Sequence, residues 1–318
     1  MRSGPLLGPT GAAVDLGSTS VHLLVARVVD HRLEPLVDES AFLGLGEAVA
    51  ARGFLGAAGR EALVDALAHH VWAARGSGAT QILFVGTEPL RRLLDAARIV
   101  AEIDAGTGVP VHVLSHEEEA LLTLVGVTAG RPIERDLLVV DIGGGSSEFV
   151  VVGPGRRAMA TGVRIGAAAL TASVGAGADP PGRDALAAMR LSASEAVRAA
   201  PAATPRDVLL VGGTSSNLLK VLGLAADAPL DRAALEAVPL IVAAEPAASI
   251  SDRTGVRPQR ARLLGAGAAI VEAILNRYQA AEARVSESGI REGAVLAAVH
   301  AGPGWRDRLE ELAHGWRT

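Results

Sequence analysis

The sequence predicts an α/β fold in which one domain occurs twice. Two strand pairs joined by glycine-containing turns recur along the 318 residues, and two strand–Gly-Thr–helix segments recur at almost the same spacing. Hydrophobic residues make up 49% of the chain and aromatic residues only 3%, so aliphatic side chains supply the core. A chain of this length and composition is sufficient for two globular domains.

The first repeat pairs VDLGSTSVHLLVA at 14–26 with VDIGGGSSEFVVV at 140–152. Five positions are identical when the segments are offset by 126 residues, among them Asp15 with Asp141. Each segment predicts a strand, a tight turn and a returning strand. Ordinary hairpins also favour Asp and Gly in their turns, but two copies in register weaken that simpler interpretation.

The second repeat pairs ILFVGTEPLRRLL at 82–94 with LLVGGTSSNLLKVL at 209–222, and its Gly-Thr pairs are 127 residues apart. Two correspondences at one spacing indicate a duplication. Glycines, a proline and mixed charges at 126–136 predict a linker. We therefore expect a first domain over 1–128 and a second over 129–318, facing each other across a central cleft with a glycine turn on each wall.

Apolar spacing predicts the helices between these landmarks. They are expected at 59–75, 88–103, 116–125, 183–199, 215–223, 232–243, 258–281 and 289–300. Near the C-terminus, Trp305, Leu309, Leu312 and Trp316 recur at helical spacing. An apolar stripe of this kind packs back on the first domain or on another subunit, so a homodimer is left open.

The composition excludes several classes of protein. The net charge is −5 and no block of like charges occurs, which gives non-specific nucleic-acid binding no support. The absence of cysteine removes disulfides and thiolate chemistry, while metals with oxygen ligands remain open. The N-terminus has no signal-peptide pattern, and the sequence has no run of about 20 apolar residues to span a membrane. We expect a cytoplasmic protein without nucleic-acid or membrane partners.

The two glycine turns predict an anion site. Glycine permits positive φ and lacks the Cβ that keeps a ligand from the backbone, so several N–H groups can converge on one phosphate. The residues expected to hold it are Gly17, Ser18 and Thr19 in the first turn and Gly143, Gly144, Gly145 and Ser146 in the second. Asp15 and Asp141, each at a strand end, predict a shared Mg²⁺ or Mn²⁺ ion.

At these residues the sequence resembles the ASKHA superfamily of actin, Hsp70 and sugar kinases, in which two RNase H-like domains hold a phosphoryl chain between two hairpins. Within it, the chain is similar to the short, two-domain form of the exopolyphosphatase/guanosine pentaphosphate phosphohydrolase (Ppx/GppA) family. The matching segments are the two hairpins, VGTEPLR, LSHEEEALLTLVGV, VGGTSSNLL and SESGIREGAVL. The resemblance implies duplicated RNase H-like domains. It also implies metal-dependent hydrolysis of terminal phosphoanhydride bonds in polyphosphate, oligophosphates or a guanosine pentaphosphate-type nucleotide.

The resemblance also implies a catalytic set. Glu119 is its catalytic carboxylate and Arg91 contacts the transition state, while Glu148 joins Asp15 and Asp141 as an acid that binds metal or orients water. For Arg91, a position on a solvated helix face is the simpler alternative, and for Glu148 it is an ordinary exposed strand residue.

The start of the acidic helix gives Glu119 some independent support. In SHEEEA, Ser115 fits as the N-cap and Glu118, three residues later, completes a capping box. Acidic residues in a first turn also suit the helix dipole, which accounts for Glu117. Glu119 lies one position past what capping requires, so it is the carboxylate left for another role.

Three arginines of the family pattern are replaced here, by Gly44, Leu121 and Ala169. Their loss weakens the expectation of a long polyanionic substrate. It also keeps a second hypothesis open, a non-catalytic phosphate-ligand sensor or assembly protein of the same fold. A third is a phosphotransferase with a nucleotide acceptor, for which VGGTSSNLL would border an adenosine pocket, although helix–strand packing explains that segment equally well.

Overall fold

A computed structural model of the chain describes residues 8–175 and 177–316. The first elements are β1 (Thr10–Leu16), β2 (Ser20–Val29), β3 (Arg32–Phe42), α1 (Leu45–Arg52), α2 (Ala57–Gly76), β4 (Gln81–Gly86), α3 (Glu88–Arg92), α4 (Ala96–Thr107), β5 (Val111–Val113) and α5 (His116–Thr128). They are followed by β6 (Leu137–Ile142), β7 (Ser147–Gly153), β8 (Arg156–Val163), α6 (Ala167–Ser173), α7 (Arg183–Ala196), β9 (Asp207–Val211), α8 (Gly213–Leu222), β10 (Leu230–Asp231), α9 (Arg232–Ala244), α10 (Ala247–Thr254), α11 (Pro258–Ala261), α12 (Leu264–Tyr278) and β11 (Glu282–Val285). The last helices are α13 (Ile290–Ala301) and α14 (Leu309–Ala313).

Contacts within the chain group it into two compact units. The first unit contains the described residues up to Pro132 together with those from Ser288 onward, and the second runs from Ile133 to Glu287. Each unit has its own aliphatic core around its sheet. The units therefore differ from the predicted domains in the assignment of α13 and the residues after it, which contact the first unit.

Close packing of α13 against α5 explains this assignment. A Cβ on Gly293 of α13 would overlap the carbonyl of Leu122 in α5, and a Cβ on Gly126 of α5 would overlap the carbonyl of Gly289. Glycine at these positions lets the two backbones approach more closely than side chains allow. The C-terminal part of the chain is thus fixed to α5.

The two sheets share one strand order. The first is β3-β2-β1-β4-β5, with β1 to β3 antiparallel and β4 and β5 parallel to β1. The second is β10-β11-β9-β6-β7-β8, in which β6 to β9 and β11 repeat that pattern. This order is RNase H-like. The predicted fold class, α/β with duplicated RNase H-like units, is confirmed.

The strand register shows the duplication at single residues. Asp15 pairs with His22 across β1 and β2, and Asp141 pairs with Glu148 across β6 and β7. Both residues of the first pair lie 126 positions before their counterparts. The two aspartates therefore occupy the same place at the end of equivalent strands.

The second repeat is shifted by one residue from the predicted alignment. Val85 of β4 and Val211 of β9 lie beside equivalent positions of β1 and β6, which makes Gly86 equivalent to Gly212. The sequence aligned Gly86 with Gly213, because the identical Gly-Thr pairs favoured that register. Because Gly212 and Gly213 are consecutive, either could be aligned with Gly86, and the threonine after Gly213 favoured the wrong one.

Two predicted helices are interrupted. The helix expected over 88–103 is divided into α3 and α4, because the Leu94 N–H donates to the carbonyl of Gly53 (2.9 Å) instead of to a carbonyl one turn earlier. The helix expected over 258–281 is likewise divided into α11 and α12. In the first of these helices, a contact with a distant segment thus overrides local helical periodicity.

The predicted C-terminal stripe packs within the first unit. Trp305, Leu309 and Leu312 are each no more than 3% exposed. Across the described residues, no helix combines the length and the apolar character needed to cross a membrane.

Candidate functional site

The glycine turn of the second unit, residues 143–146, is held by the start of α6. The carbonyls of Gly143 and Gly144 accept hydrogen bonds of 2.9–3.0 Å from the first backbone N–H groups of that helix. In a trans peptide unit the C=O and N–H bonds point in opposite directions, so the N–H groups of Gly144 and Gly145 point away from α6. Two adjacent N–H groups on one side of a turn form an anion-binding nest.

Gly166 makes this arrangement sterically feasible. A Cβ at this position would overlap the backbone of Gly144 and Gly145, so only glycine lets α6 begin against the turn. Gly166 was not predicted from the sequence. The detectable signal was a glycine immediately before the alanine-rich helix in RIGAAA.

The turn of the first unit is built in the same way. The Ser18 carbonyl accepts from the Gly46 N–H (2.7 Å) and the Thr19 carbonyl accepts from the Gly44 N–H (3.0 Å), at the start of α1. The Thr19 N–H therefore points away from α1. In both units, the turn after the first strand rests on the helix that follows the third strand.

The side chain of Ser18 is bound to a carboxylate. Its hydroxyl donates to Oε2 of Glu88 (3.1 Å), and Oε1 of Glu88 accepts from Arg92 (2.9 Å). Glu88 was not predicted from the sequence, where its only signal was its place at the first position of the helix after Gly-Thr. Thr87 is the N-cap residue of α3, but its hydroxyl donates to the Leu16 carbonyl (3.2 Å) and does not cap the helix.

Glu148 is buried beside its predicted neighbours. It is only 2% exposed and accepts a hydrogen bond from the Ser146 hydroxyl (2.7 Å). The first unit repeats the contact with Ser20 and His22 Nε2, 2.6 Å apart. Glu148 is therefore not an ordinary exposed strand residue.

The carboxylate of Asp141 lies against Gly212 at the start of α8. Gly212 has φ +93°, and a Cβ on it would lie 2.7 Å from Oδ1 of Asp141. Asp141 is also directly opposite Glu148 in the sheet. Carboxylates placed opposite one another repel, and oxygen donors of this kind suit Mg²⁺ or Mn²⁺. The donor set and the space left by Gly212 fit a divalent cation.

The acidic helix α5 begins with the predicted capping box. The Ser115 hydroxyl accepts from the Glu118 N–H (3.2 Å), and Oε2 of Glu118 accepts from the Ser115 N–H (2.8 Å). Glu119, the next residue, takes no part in the capping box and is 7% exposed. The structure thus places two adjacent glutamates in different environments.

Arg91 of α3 forms an ion pair with Glu119. Its Nη1 lies 2.6 Å from Oε2 of Glu119 and 3.0 Å from the Leu114 carbonyl, and its Nη2 lies 3.0 Å from Nδ1 of His116. The Arg91 side chain is 17% exposed, so it does not lie on a solvated helix face. His116 was missed, although it belongs to the SHEEEA motif. These contacts bring together the two residues predicted to be catalytic.

None of the three positions where arginine was expected carries a cation. Gly44 is the N-cap of α1 and has φ +61°. An arginine rarely adopts this left-handed backbone conformation. Leu121 is buried and Ala169 lies on the exposed side of the first turn of α6.

The strand order and its repetition define a duplicated RNase H-like α/β protein, in which the turn after the first strand of each unit rests on the start of a helix. Residues 24–301 match the model of the Ppx/GppA phosphatase family, and the chain belongs to that family. The predicted resemblance is confirmed.

Similar proteins of known name are consistent with this family assignment. Exopolyphosphatase 1 of Mycobacterium tuberculosis is 27% identical over 304 residues, which cover 89% of this chain and 86% of the relative. A Vibrio cholerae relative named guanosine-5'-triphosphate,3'-diphosphate pyrophosphatase is 34% identical over 145 residues, which cover 45% of this chain and 29% of that protein. The Aquifex aeolicus Ppx/GppA crystal structure superposes with a TM-score of 0.80 at 22% identity, covering 92% of this chain and 97% of the Aquifex chain. That last likeness shows the fold.

Proposed function

We propose that this protein hydrolyses terminal phosphoanhydride bonds. The observation that carries the proposal is the buried Glu119 carboxylate, which the capping box does not use and which Arg91 holds at 2.6 Å. Membership in the Ppx/GppA phosphatase family supports the reaction class.

In the proposed reaction, the oxygen of a water molecule bonds to the terminal phosphorus and the anhydride P–O bond breaks. Glu119 accepts the proton that the water loses, and the shortened chain leaves with the bridging oxygen. Arg91 orients Glu119 and supplies positive charge for the non-bridging oxygens. Its hydrogen bond to the Leu114 carbonyl fixes the guanidinium for both tasks.

Phosphate groups are proposed to bind to the backbone of the two turns, 17–19 and 143–146. The orientation of the Thr19, Gly144 and Gly145 N–H groups supports this. In the structure the hydroxyls of Ser18 and Ser146 donate to carboxylates, and the part of both residues in phosphate binding stays a prediction.

For the metal, we propose that Asp141 and Glu148 hold Mg²⁺ or Mn²⁺. When bound, such an ion neutralises charge on phosphate oxygens. Asp15 occupies the equivalent strand position in the first unit, and its part in metal binding stays a prediction. A cytoplasmic location and a homodimer also stay predictions.

The proposed substrates are inorganic polyphosphate, short oligophosphates or a guanosine pentaphosphate-type nucleotide. The Mycobacterium relative is named an exopolyphosphatase, which supports a polyphosphate, and the Vibrio relative's name supports a nucleotide. The missing cations at Gly44, Leu121 and Ala169 favour short chains over long ones. They also favour the second candidate function, a phosphate-ligand sensor.

A panel of phosphoanhydrides of graded length, assayed with Mg²⁺ and with Mn²⁺, tests these functions. Release of orthophosphate without an acceptor supports hydrolysis. Binding of tripolyphosphate without any product supports the sensor, and turnover only in the presence of a nucleoside diphosphate supports a transferase.

A further inference from the structure

The C-terminal residues after α13 are anchored by three buried side chains. Trp305 is 2% exposed, and Leu309 and Leu312 are buried a turn and two turns later. Arg306 directly follows Trp305, so its backbone is fixed on both sides by buried side chains. Its guanidinium reaches the start of α5, 188 residues earlier in the sequence.

At that position Arg306 contacts both a side chain and the backbone. Its Nη2 donates to Oε2 of Glu118 (2.6 Å) and to the Val113 carbonyl (3.1 Å), while its Nε donates to the other oxygen of Glu118. A two-pronged pairing of guanidinium and carboxylate restricts geometry far more than a single contact does. The Glu118 oxygen bound by Nη2 is also the one that closes the capping box on Ser115.

Arg91 makes the same pair of contacts one residue further along. Arg306 holds Glu118 and the Val113 carbonyl, and Arg91 holds Glu119 and the Leu114 carbonyl. Two arginines therefore fix adjacent residues of the β5–α5 connection and adjacent glutamates of the first helical turn. No role for Arg306 was predicted from the sequence.

We propose that Arg306 is a positioning residue, which acts through Glu118 to hold the start of α5 in the register that presents Glu119 to the attacking water. This rests on the proposed hydrolytic function of Glu119. Without Arg306, Glu118 retains the bond to its own capping box but loses its tie to the rest of the unit. The first turn of α5 is then free to shift, and small displacements of a catalytic group slow a reaction strongly.

The charge state of Glu118 agrees with this arrangement. Burial by itself would raise the pKa of Glu118, but hydrogen bonds from Arg306 and from the Ser115 N–H lower it overall. Glu118 is therefore an anion near neutral pH and keeps its pairing with Arg306.

The test compares Arg306→Gln, Arg306→Lys and Glu118→Gln with Arg308→Gln as the matched control. Arg308 lies in the same segment and is 47% exposed against 43% for Arg306, but its ion pair is with Glu311. Steady-state release of orthophosphate from tripolyphosphate gives kcat and KM of each variant, and thermal melts give the folded fraction. Amide hydrogen exchange at 116–119 in the absence of substrate reports the order of the helix start.

We expect Arg306→Gln and Glu118→Gln to lower kcat by roughly 10- to 100-fold with little change in KM. The double variant, which combines Arg306→Gln with Glu118→Gln, should be no slower than the slower single variant, because both changes remove the same contact. Arg306→Lys should recover part of the rate, and exchange at 116–119 should be faster in Arg306→Gln than in Arg308→Gln.

Parental turnover in Arg306→Gln, additive losses in the double variant, or a loss explained by the unfolded fraction alone would overturn the positioning role. These outcomes are distinct from failure of the proposed function, in which the parental protein itself releases no orthophosphate.

Discussion

Three consecutive glutamates at the start of α5 have three different environments. Glu117 is exposed, Glu118 closes the capping box and pairs with Arg306, and Glu119 is buried against Arg91. Local sequence predicted the capping box, because its two partners are three residues apart. It gave Glu119 no part in capping, so Glu119 was the carboxylate left for another role. The second partner of Glu118, Arg306, was not predictable, because it lies 188 residues away in the chain.

At the residue scale, Gly212 provides a test of the proposed metal site. Gly212→Ala places a Cβ 2.7 Å from Oδ1 of Asp141 and puts alanine at φ +93°, which costs about 1–3 kcal/mol of stability. We expect a lower Tm and a smaller rise of Tm on addition of Mg²⁺, because the Asp141 carboxylate is displaced. Thermal melts with and without Mg²⁺ measure both effects.

Gly213→Ala is the matched control for that substitution. Gly213 begins α8, and a Cβ there meets no atom within 4 Å, so alanine should leave the Tm equal or slightly higher. If Gly212→Ala has the same Tm as the control and the same rise of Tm with Mg²⁺, the position of the Asp141 carboxylate does not depend on the space beside Gly212.

At the scale of elements, the interface of α13 with α5 is the contact that fixes the C-terminal part of the chain. Gly293→Ala would force a Cβ into the Leu122 carbonyl, so the two helices must separate. Overpacking of this kind costs about 1–3 kcal/mol or more, and urea unfolding should show it as a lower midpoint. Gly304→Ala serves as the control, because its Cβ meets nothing within 4 Å. Equal midpoints for the two variants would contradict the close packing described here.

Element boundaries were the least predictable feature of the fold. The hairpins at 14–26 and 140–152 were correctly predicted, because their signal lies in strand alternation and turn residues that are close in sequence. The division of the helix expected over 88–103 was not, since it depends on a hydrogen bond between Leu94 and Gly53. Helical periodicity continues through such a break and gives no sign of it.

At the scale of the whole molecule, the duplication was predicted from the sequence. The contacts between residues that are distant in the sequence were not. Asp15 and Asp141 lie 126 residues apart in matching segments. This match predicted both the repeated unit and the positions of the two turns. The hydrogen bond from Ser18 to Glu88 joins residues 70 apart, and the contact of Arg306 with Glu118 joins residues 188 apart. Pairings over such distances leave no periodic pattern in a single sequence.

The stability of the whole fold should fall in mild acid. Burial lowers the pKa of His70, His112 and His300 below the ordinary value of 6.5, and neighbouring positive groups lower it further. As pH falls below 6.5, the unfolded chain binds more protons at these residues than the folded chain, so the stability present above 6.5 is progressively lost. The Tm should be lower at about pH 5.5 than at about pH 7.5.

His300→Gln should reduce that difference in Tm, because one of the three groups no longer titrates. His300 lies against Trp316, with ring centroids 4.3 Å apart, so glutamine should also lower the Tm slightly at both pH values. A Tm that is equal at the two pH values in the parental protein would contradict the proposed role of burial at these histidines.

The assignment of Glu119 as the proton acceptor is the central claim about how the whole molecule hydrolyses its substrate. The measurement is the single-turnover rate of orthophosphate release from tripolyphosphate with Mg²⁺, for the parental protein, Glu119→Gln and the exposed-site control Glu117→Gln. We expect Glu119→Gln to be slower by roughly 10²–10⁴-fold, since glutamine retains the shape but accepts no proton, and Glu117→Gln to keep the parental rate. Thermal melts establish that both variants are folded. Turnover of Glu119→Gln at the parental rate would show that another group takes the proton.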